Sequence, residues 1–254
     1  MPEDLLAYLI VCPLVFVAGF VDAIAGGGGL ISLPAYLISG LPVHIALGTN
    51  KLSSMAGTAL TTYRYAKLGY IQIKSAIFCI VAAFAGSSLG ASLAMMINDR
   101  TFKFMLLFIL PLTAIILIKR RNLSPKGINK HSELFTLSLC SCISLVVGIY
   151  DGFYGPGTGT FLMIGFLFIA NCAITQANCL TKAVNLATNI AALAVFLFHG
   201  TVLLKLGICA GLFSIEGNFA GSKFFEKYKE VGTKPIMIGV MLILILKLSY
   251  EIFW

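Results

Sequence analysis

Charge-free runs long enough to cross a membrane constrain this fold more than any other feature of the sequence. Residues 77–97 (IFCIVAAFAGSSLGASLAMMI) and 135–150 (FTLSLCSCISLVVGIY) contain no charged side chain, and a helix crosses the hydrocarbon with about 20 apolar residues. Only 11% of the 254 residues are charged, against about 25% in soluble domains. The apolar runs are continuous rather than alternating, which indicates helices and not barrel strands. The sequence therefore predicts an all-α polytopic membrane protein.

Basic residues are concentrated in one connector, residues 119–131 (KRRNLSPKGINKH), which holds five Lys and Arg side chains and no acid. Short loops rich in Lys and Arg stay in the cytoplasm, so this connector is expected to be cytoplasmic and not a nucleic-acid site. The N-terminus MPEDLLAYLIV lacks a basic region before its apolar residues. We therefore expect the first apolar segment to be retained and not cleaved as a signal peptide.

The chain also compares with itself in two halves. At an offset of 129, GFVDAIAGGGG (19–29) aligns with GIYDGFYGPGT (148–158), and at an offset of 131, Lys51 aligns with Lys182. This shared order predicts two homologous transmembrane repeats, residues 1–118 and 132–254, joined by the connector 119–131. An even number of crossings in each half would make the repeats parallel and an odd number would make them inverted. Loop charges do not decide between the two.

Each repeat is predicted to hold four to five transmembrane segments. A long helix (about 5–25, then 134–153) runs into a glycine-rich break, which a short apolar piece follows (about 29–40, then 159–170). Three more helices complete each half, near 44–66, 74–97 and 102–118, then near 173–198, 204–226 and 234–251. Gly86 and Gly90, like Gly217 and Gly221, have the small-xxx-small spacing of close helix packing.

Contiguous glycines in a membrane segment need a reason, because unpaired backbone groups in lipid cost several kcal/mol each. Transporters built from repeats place such breaks at the substrate site, where half-helix ends face the ligand. Close helix packing is the alternative, although packing glycines are normally spaced four apart. We therefore expect Gly-rich broken helices at the interface of the repeats. The first glycine segment is Gly26, Gly27, Gly28 and Gly29, and the second is Gly155, Gly157, Thr158 and Gly159.

The patterns FVDAIAGGGGLISLP (20–34), ALGTNKLSSMAGT (46–58), GFYGPGTGTFL (152–162) and LTKAVNLATN (180–189) resemble the TauE/SafE family, also called the toluene sulfonate uptake permeases. The resemblance covers nearly the whole chain. It implies a secondary transporter for sulfite, sulfoacetate, another organosulfonate or a related sulfur anion, with a bacterial inner membrane as its location. It fixes neither the substrate nor the direction of transport.

Two lysines carry the hypothesis for the substrate site. A lysine in an apolar helix is costly unless it is paired, faces water or lies near the interface. Lys51 and Lys182, one from each half, could form an anion site with the half-helix N-termini. Alternatively, each could snorkel to the membrane surface from a helix end. Their polar neighbours would line the same cavity or bond neighbouring helices: Asn50, Ser53, Ser54, Thr181, Asn185 and Asn189.

Three carboxylates lie within apolar segments. Asp22 and Asp151 precede the glycine segments and could cap the short helices, pair with the lysines or carry a coupling proton. Glu216, whose first-half counterpart is Ala85, could relay protons or pair helices.

A secondary transporter worked by alternating access is the first functional interpretation of the sequence. A passive anion channel, or a membrane enzyme or assembly factor without transport activity, is the alternative. The sequence shows no metal-ligand spacing and no nucleotide loop, so no metal or other cofactor and no nucleic-acid partner are expected. Expected partners are the lipid bilayer, a small sulfur-containing anion and a coupling proton or ion. The oligomeric state stays open, with a homodimer as one option.

Overall fold

The computed structural model describes residues 5–67, 73–119 and 132–228. All regular structure within these ranges is helical, as the charge-free runs predict. The long helices have 21 to 25 residues each and the two short ones lie beside the glycine segments. In chain order they are α1 Leu5–Ala25, α2 Gly29–Ile38, α3 Val43–Lys67, α4 Ile73–Met95, α5 Asp99–Lys119, α6 Glu133–Phe153, α7 Thr158–Ile164, α8 Ile174–Phe198 and α9 Leu204–Tyr228.

The predicted segments agree with these helices to within a few residues. Within the described residues, four stretches are apolar and long enough to cross a membrane: Leu5–Ile24, Ala76–Met95, Leu134–Phe153 and Gln176–Phe198. The second short piece is α7 followed by a π-helical turn, Gly165–Ile169. The last predicted helix, 234–251, and residues 120–131 of the connector lie outside the described residues.

Glycine seams join α1 to α9 and α4 to α6, as the small-xxx-small spacing predicts. A methyl group on Gly217 would lie 2.1 Å from the Phe16 carbonyl oxygen, and one on Gly221 would lie 2.4 Å from that of Phe20. The residue numbers of the contacting positions increase together along both helices, so α1 and α9 run in the same direction. Gly86 and Gly90 of α4 meet residues 145 and 149 of α6 in the same way. Backbone contact this close is possible only without a side chain at the seam.

Helices α3 and α8 cross at the centre of the bundle in opposite directions. Gly48, near the start of α3, packs against Phe196 near the end of α8. At the other end of α3, the Thr62 hydroxyl donates to the Lys182 carbonyl oxygen at 3.1 Å. These two helices carry most of the polar side chains that the sequence singles out.

Helix α2 folds back along α1, so α1 and α3 run the same way. Gly28 lies against Ala18 and Asp22 of α1, and α9 packs alongside both α1 and α3.

At the start of α3, a ring nitrogen of His44 bonds the Asp99 carboxylate at the start of α5. The other ring nitrogen lies 3.0 Å from the Ala94 carbonyl oxygen near the end of α4. Helix α4 therefore runs against α3, and α5 begins where α3 begins.

These contacts fix the direction of every long helix. Helices α1, α3, α5 and α9 run one way, while α4, α6 and α8 run the other way. Helices α3, α5 and α9 therefore end at the same end of the bundle, the basic end, from which the connector leaves. Five basic residues lie in or near their last turns: Arg64, Lys67, Lys119, Lys223 and Lys227.

Candidate functional site

A cavity of about 40 Å³ lies at the centre of the bundle, with room for about three water molecules or a small oxyanion. It is bounded by α1, α3, α8, α9 and both glycine segments. Most of the residues that the sequence singles out line it: Asp22, Gly26, Gly28, Gly29, Asn50, Lys51, Ser54, Asp151, Gly155, Gly157, Thr158, Gly159, Asn185 and Asn189.

The two glycine segments touch each other at this cavity. A methyl group on Gly159 would lie 2.5 Å from the Gly26 carbonyl oxygen, and one on Gly29 would lie 3.1 Å from the Pro156 Cα. Gly26 and Gly155 have positive φ angles of 72° and 95°, a conformation that side chains disfavour. The glycines therefore let one break turn sharply and approach the other backbone to backbone.

Lys51 lies in the cavity with a carboxylate partner from the other half of the chain. Its ammonium donates to the Asp151 carboxylate at 2.6 Å and to the Asn189 amide oxygen at 3.3 Å. The side chains of Lys51 and Asp151 are only 4% and 3% exposed. The Thr158 hydroxyl lies 2.6 Å from the other oxygen of Asp151. Lys51 is thus a buried, paired cation and does not reach the membrane surface in this structure.

Lys182 forms the corresponding pair, with the lysine now in the second half of the chain and the aspartate in the first. Its ammonium lies 3.0 Å from the Asp22 carboxylate and also donates to the Asp22 carbonyl oxygen. The Lys182 side chain is 1% exposed, while that of Asp22 is 14% exposed and lines the cavity. Each lysine is therefore matched by an aspartate of the other half, but only Lys51 lines the cavity.

Several polar groups of the cavity keep hydrogen-bonding capacity for a ligand. The buried Ser32 hydroxyl on α2 has no hydrogen-bond partner among the described residues. The Asn189 oxygen accepts from Lys51, and its amide NH₂ group adds donors to those of Asn185, which lines the same wall. A cation, amide donors and a hydroxyl donor together are suited to binding an oxyanion.

The remaining predicted residues lie outside the cavity lining. Gly27 is buried within the first glycine segment, and the Ser53 hydroxyl accepts from the Tyr36 hydroxyl at 2.8 Å. Thr181 and Lys182 are buried on α8 and do not line the cavity. Glu216 is exposed on the outer face of α9 and forms no ion pair with a described residue.

Sequence reasoning missed four polar residues that line the cavity: Ser32, Thr58, Ser214 and Asn218. The Thr61 hydroxyl donates to the Asn218 side-chain oxygen at 2.8 Å. A methyl group on Gly57 of α3 would lie 2.3 Å from both the Ser214 hydroxyl and the Asn218 amide nitrogen. The sequence carried a signal for two of these residues, because Ser214 and Asn218 are four apart and so share one face of an otherwise apolar helix.

A comparison with protein families gives a match over most of the chain. The model of the family described as "Sulfite exporter TauE/SafE" matches residues 11–248. This chain belongs to the TauE/SafE family. With its apolar helices, membership identifies an integral multi-pass membrane protein.

Relatives within the TauE/SafE family are named as transporters. A "Probable membrane transporter protein ORF9" from Sinorhizobium sp. is 38% identical over 96% of this chain and 92% of its own length. A "Probable membrane transporter protein" from Haemophilus influenzae is 32% identical over 99% and 97%. The Escherichia coli (strain K12) "Probable membrane transporter protein YfcA" is 28% identical over 92% and 86%. No solved structure gives a significant match.

Proposed function

We propose that this TauE/SafE protein is a secondary transporter that moves a small sulfur-containing oxyanion across the membrane by alternating access. The observation that carries the proposal is Lys51, a buried cation that lines a polar cavity where two broken helices meet. Sulfite is the first candidate, because the family description names a sulfite exporter. The volume of about 40 Å³ suits an ion of a few heavy atoms and not an aromatic sulfonate.

The helix directions support the mechanical part of the proposal. If residues 1–118 and 132–254 are repeats, then α1 and α6 correspond, and they run in opposite directions. Inverted repeats place the substrate site at their interface and alternate between two tilts of one repeat against the other. The site residues come from both halves, so such a tilt would change the contacts around Lys51.

Transport is tested with radiolabelled sulfite in proteoliposomes, with sulfoacetate, thiosulfate and sulfate as competitors. We expect saturable uptake that unlabelled sulfite inside the vesicles accelerates, because a carrier exchanges its substrate. Lys51→Ala is expected to abolish uptake, while the control Lys205→Ala, at an exposed position at the start of α9, retains it. Uptake that rises linearly with concentration and shows no exchange would favour the channel. Equal rates in all variants would refute Lys51 as the anion-binding cation.

A further inference from the structure

Lys51, the cation proposed to bind the ligand, already has an anionic partner. Lys51 and Asp151 are 2.6 Å apart and both side chains are almost fully buried. An anion that takes the ammonium of Lys51 must therefore compete with a carboxylate held at hydrogen-bond distance. This competition is a property of the site itself and does not depend on which oxyanion enters.

The charges around the cavity sum to zero before any ligand binds. Lys51 and Lys182 contribute two positive charges, and Asp151 and Asp22 contribute two negative charges. An entering anion would leave an uncompensated negative charge in a low-dielectric interior, which is strongly unfavourable. A proton that arrives with the anion restores neutrality. The structure thus calls for a group that can take up this proton.

Asp151 meets the requirements for that group, whereas Asp22 does not. Asp151 lines the cavity and is the partner of Lys51, so its neutralisation directly frees the ammonium for the anion. The Thr158 hydroxyl, 2.6 Å away, can donate to the carboxylate or accept from the protonated acid. Neutralising Asp22 would instead release Lys182, which does not line the cavity.

No second charged group is set against Asp151 on the described elements that surround it. Helix α3 presents Lys51, α8 presents the neutral Asn189, and α7 presents Thr158. Helix α4 packs on the outer side of α6 through Gly90 and Ser87, which are both uncharged. Lys182, the other lysine near the cavity, is occupied by Asp22. Protonation of Asp151 would therefore act chiefly on the charge of Lys51.

We propose that the cavity takes up its anion together with one proton, with Asp151 accepting the proton and Lys51 binding the anion. The inference rests on the proposed transport function and adds the coupling ion and the residue that carries it. The ion pair between Lys51 and Asp151 is then the unloaded state of the site. Release of the anion and the proton on the other side of the membrane re-forms it.

The test uses methanesulfonate as the probe, since it is small and its sulfonate group carries one negative charge throughout the range from about pH 6 to pH 8. Purified protein in proteoliposomes is given an acidic outside, and the membrane potential is clamped at zero with potassium and valinomycin. For one proton per anion, each pH unit is expected to raise the accumulation ratio about tenfold. A pH-sensitive dye inside the vesicles reports the accompanying protons.

Four proteins are compared: wild type, Asp151→Asn, Asp151→Glu and Glu216→Gln. Asp151→Asn is expected to lose pH-driven accumulation and proton movement, and any methanesulfonate flux that remains is expected not to depend on the pH gradient. Asp151→Glu, which keeps an ionisable carboxyl group, is expected to retain coupling. Glu216→Gln is the matched control, a carboxyl group in an apolar helix that lies outside the cavity, and it is expected to behave like the wild type.

The outcomes separate the two proposals. Wild-type methanesulfonate flux without proton movement, or an Asp151→Asn protein that keeps pH-driven accumulation, would overturn the coupling and leave transport intact. Loss of coupling in Glu216→Gln but not in Asp151→Asn would assign the proton to α9 and also overturn it. Absence of methanesulfonate flux in the wild type would overturn the proposed function for this anion and the coupling with it. If Asp151→Asn does not fold, the wild-type proton signal decides alone.

Discussion

At the scale of single residues, the two lysines look equivalent in sequence but differ in the structure. Lys51 lines the cavity and is therefore assigned to the ligand. Lys182 on α8 is buried and paired with Asp22 on α1, and it does not line the cavity, which indicates a structural role. Sequence comparison pairs them because they align at an offset of 131 between the two halves, and nothing in that alignment says which lysine faces a cavity.

We predict that Lys182→Met destabilises the protein by about 3–5 kcal/mol, because the substitution leaves Asp22 charged and unpaired in the interior. The double variant Lys182→Met with Asp22→Asn is expected to recover most of this loss, since it removes both charges. Thermal unfolding of detergent-solubilised protein measures the difference. Equal destabilisation of the single and double variants would contradict a structural ion pair.

Gly159→Ala is predicted to impair transport without unfolding the bundle. Its methyl group would lie 2.5 Å from the Gly26 carbonyl oxygen, so the two glycine segments must move apart at the cavity. We expect a fall in sulfite flux on the order of tenfold, equivalent to about 1.4 kcal/mol of distortion. Gly211→Ala is the control, because its methyl group would make an ordinary contact at 3.4 Å with Ala56. Similar flux in both variants would mean that the close approach is not needed.

At the scale of helices, the sequence predicts the elements well because the described long helices begin and end within a few residues of the predicted segments, and four of them coincide with strongly apolar runs. Glycines and prolines mark the breaks, so the bounds of α2 and α3 follow from residues 26–42. The directions of the helices could not be derived, because they depend on whether α2 crosses the membrane or folds back along α1. That choice is made by the contact of Gly28 with Ala18 and Asp22, which no local pattern shows.

The seam between α4 and α6 should tolerate no side chain. A methyl group on Gly90 would lie 2.0 Å from the Ile149 carbonyl oxygen and 2.8 Å from the Phe153 nitrogen. Gly90→Ala is therefore predicted to lower stability by about 1–3 kcal/mol, the usual range for an overpacked contact. Thermal unfolding beside Gly211→Ala checks this, and unchanged stability in Gly90→Ala would show that the helices can separate at no cost.

His44 joins three helices at one end of the bundle and was not singled out by its sequence context. Its ring bonds Asp99 on α5 and the Ala94 carbonyl on α4. His44→Ala is expected to cost about 1–3 kcal/mol, because it leaves the partner groups unsatisfied. His199→Ala serves as the control, since His199 is exposed and bonds only the Val195 carbonyl of its own helix. Equal unfolding temperatures for the two variants would argue against the three-helix junction.

At the scale of the whole molecule, the helix directions place more of the described basic residues at one end of the bundle than at the other, where Arg100, Lys103 and Lys205 lie at the starts of α5 and α9. Arg64, Lys67, Lys119, Lys223 and Lys227 lie at or near the ends of helices that run the same way. The connector 119–131 continues from that end. Positive residues stay in the cytoplasm, so the basic end is predicted to be cytoplasmic. Counting loop charges without the directions of the helices could not reach this result.

Sidedness can be measured with a membrane-impermeant maleimide on intact cells. Lys67→Cys, at the basic end, is expected to react only after the membrane is opened. Met96→Cys, 82% exposed at the opposite end, is expected to react in intact cells, with the unsubstituted protein as the background control. The reverse pattern would place the basic end outside.

The exchange of charges between the halves has a consequence for how such a molecule could arise. Each aspartate is neutralised by a lysine of the other half, so neither half satisfies its own buried charges alone. A two-fold symmetric dimer produces this arrangement automatically, because every contact across its axis occurs twice. If the two halves are homologous repeats, one ancestral chain with one aspartate and one lysine would have formed both pairs at once. After fusion of two such copies the pairs could differ, with Lys51 and Asp151 at the cavity and Lys182 and Asp22 joining α8 to α1.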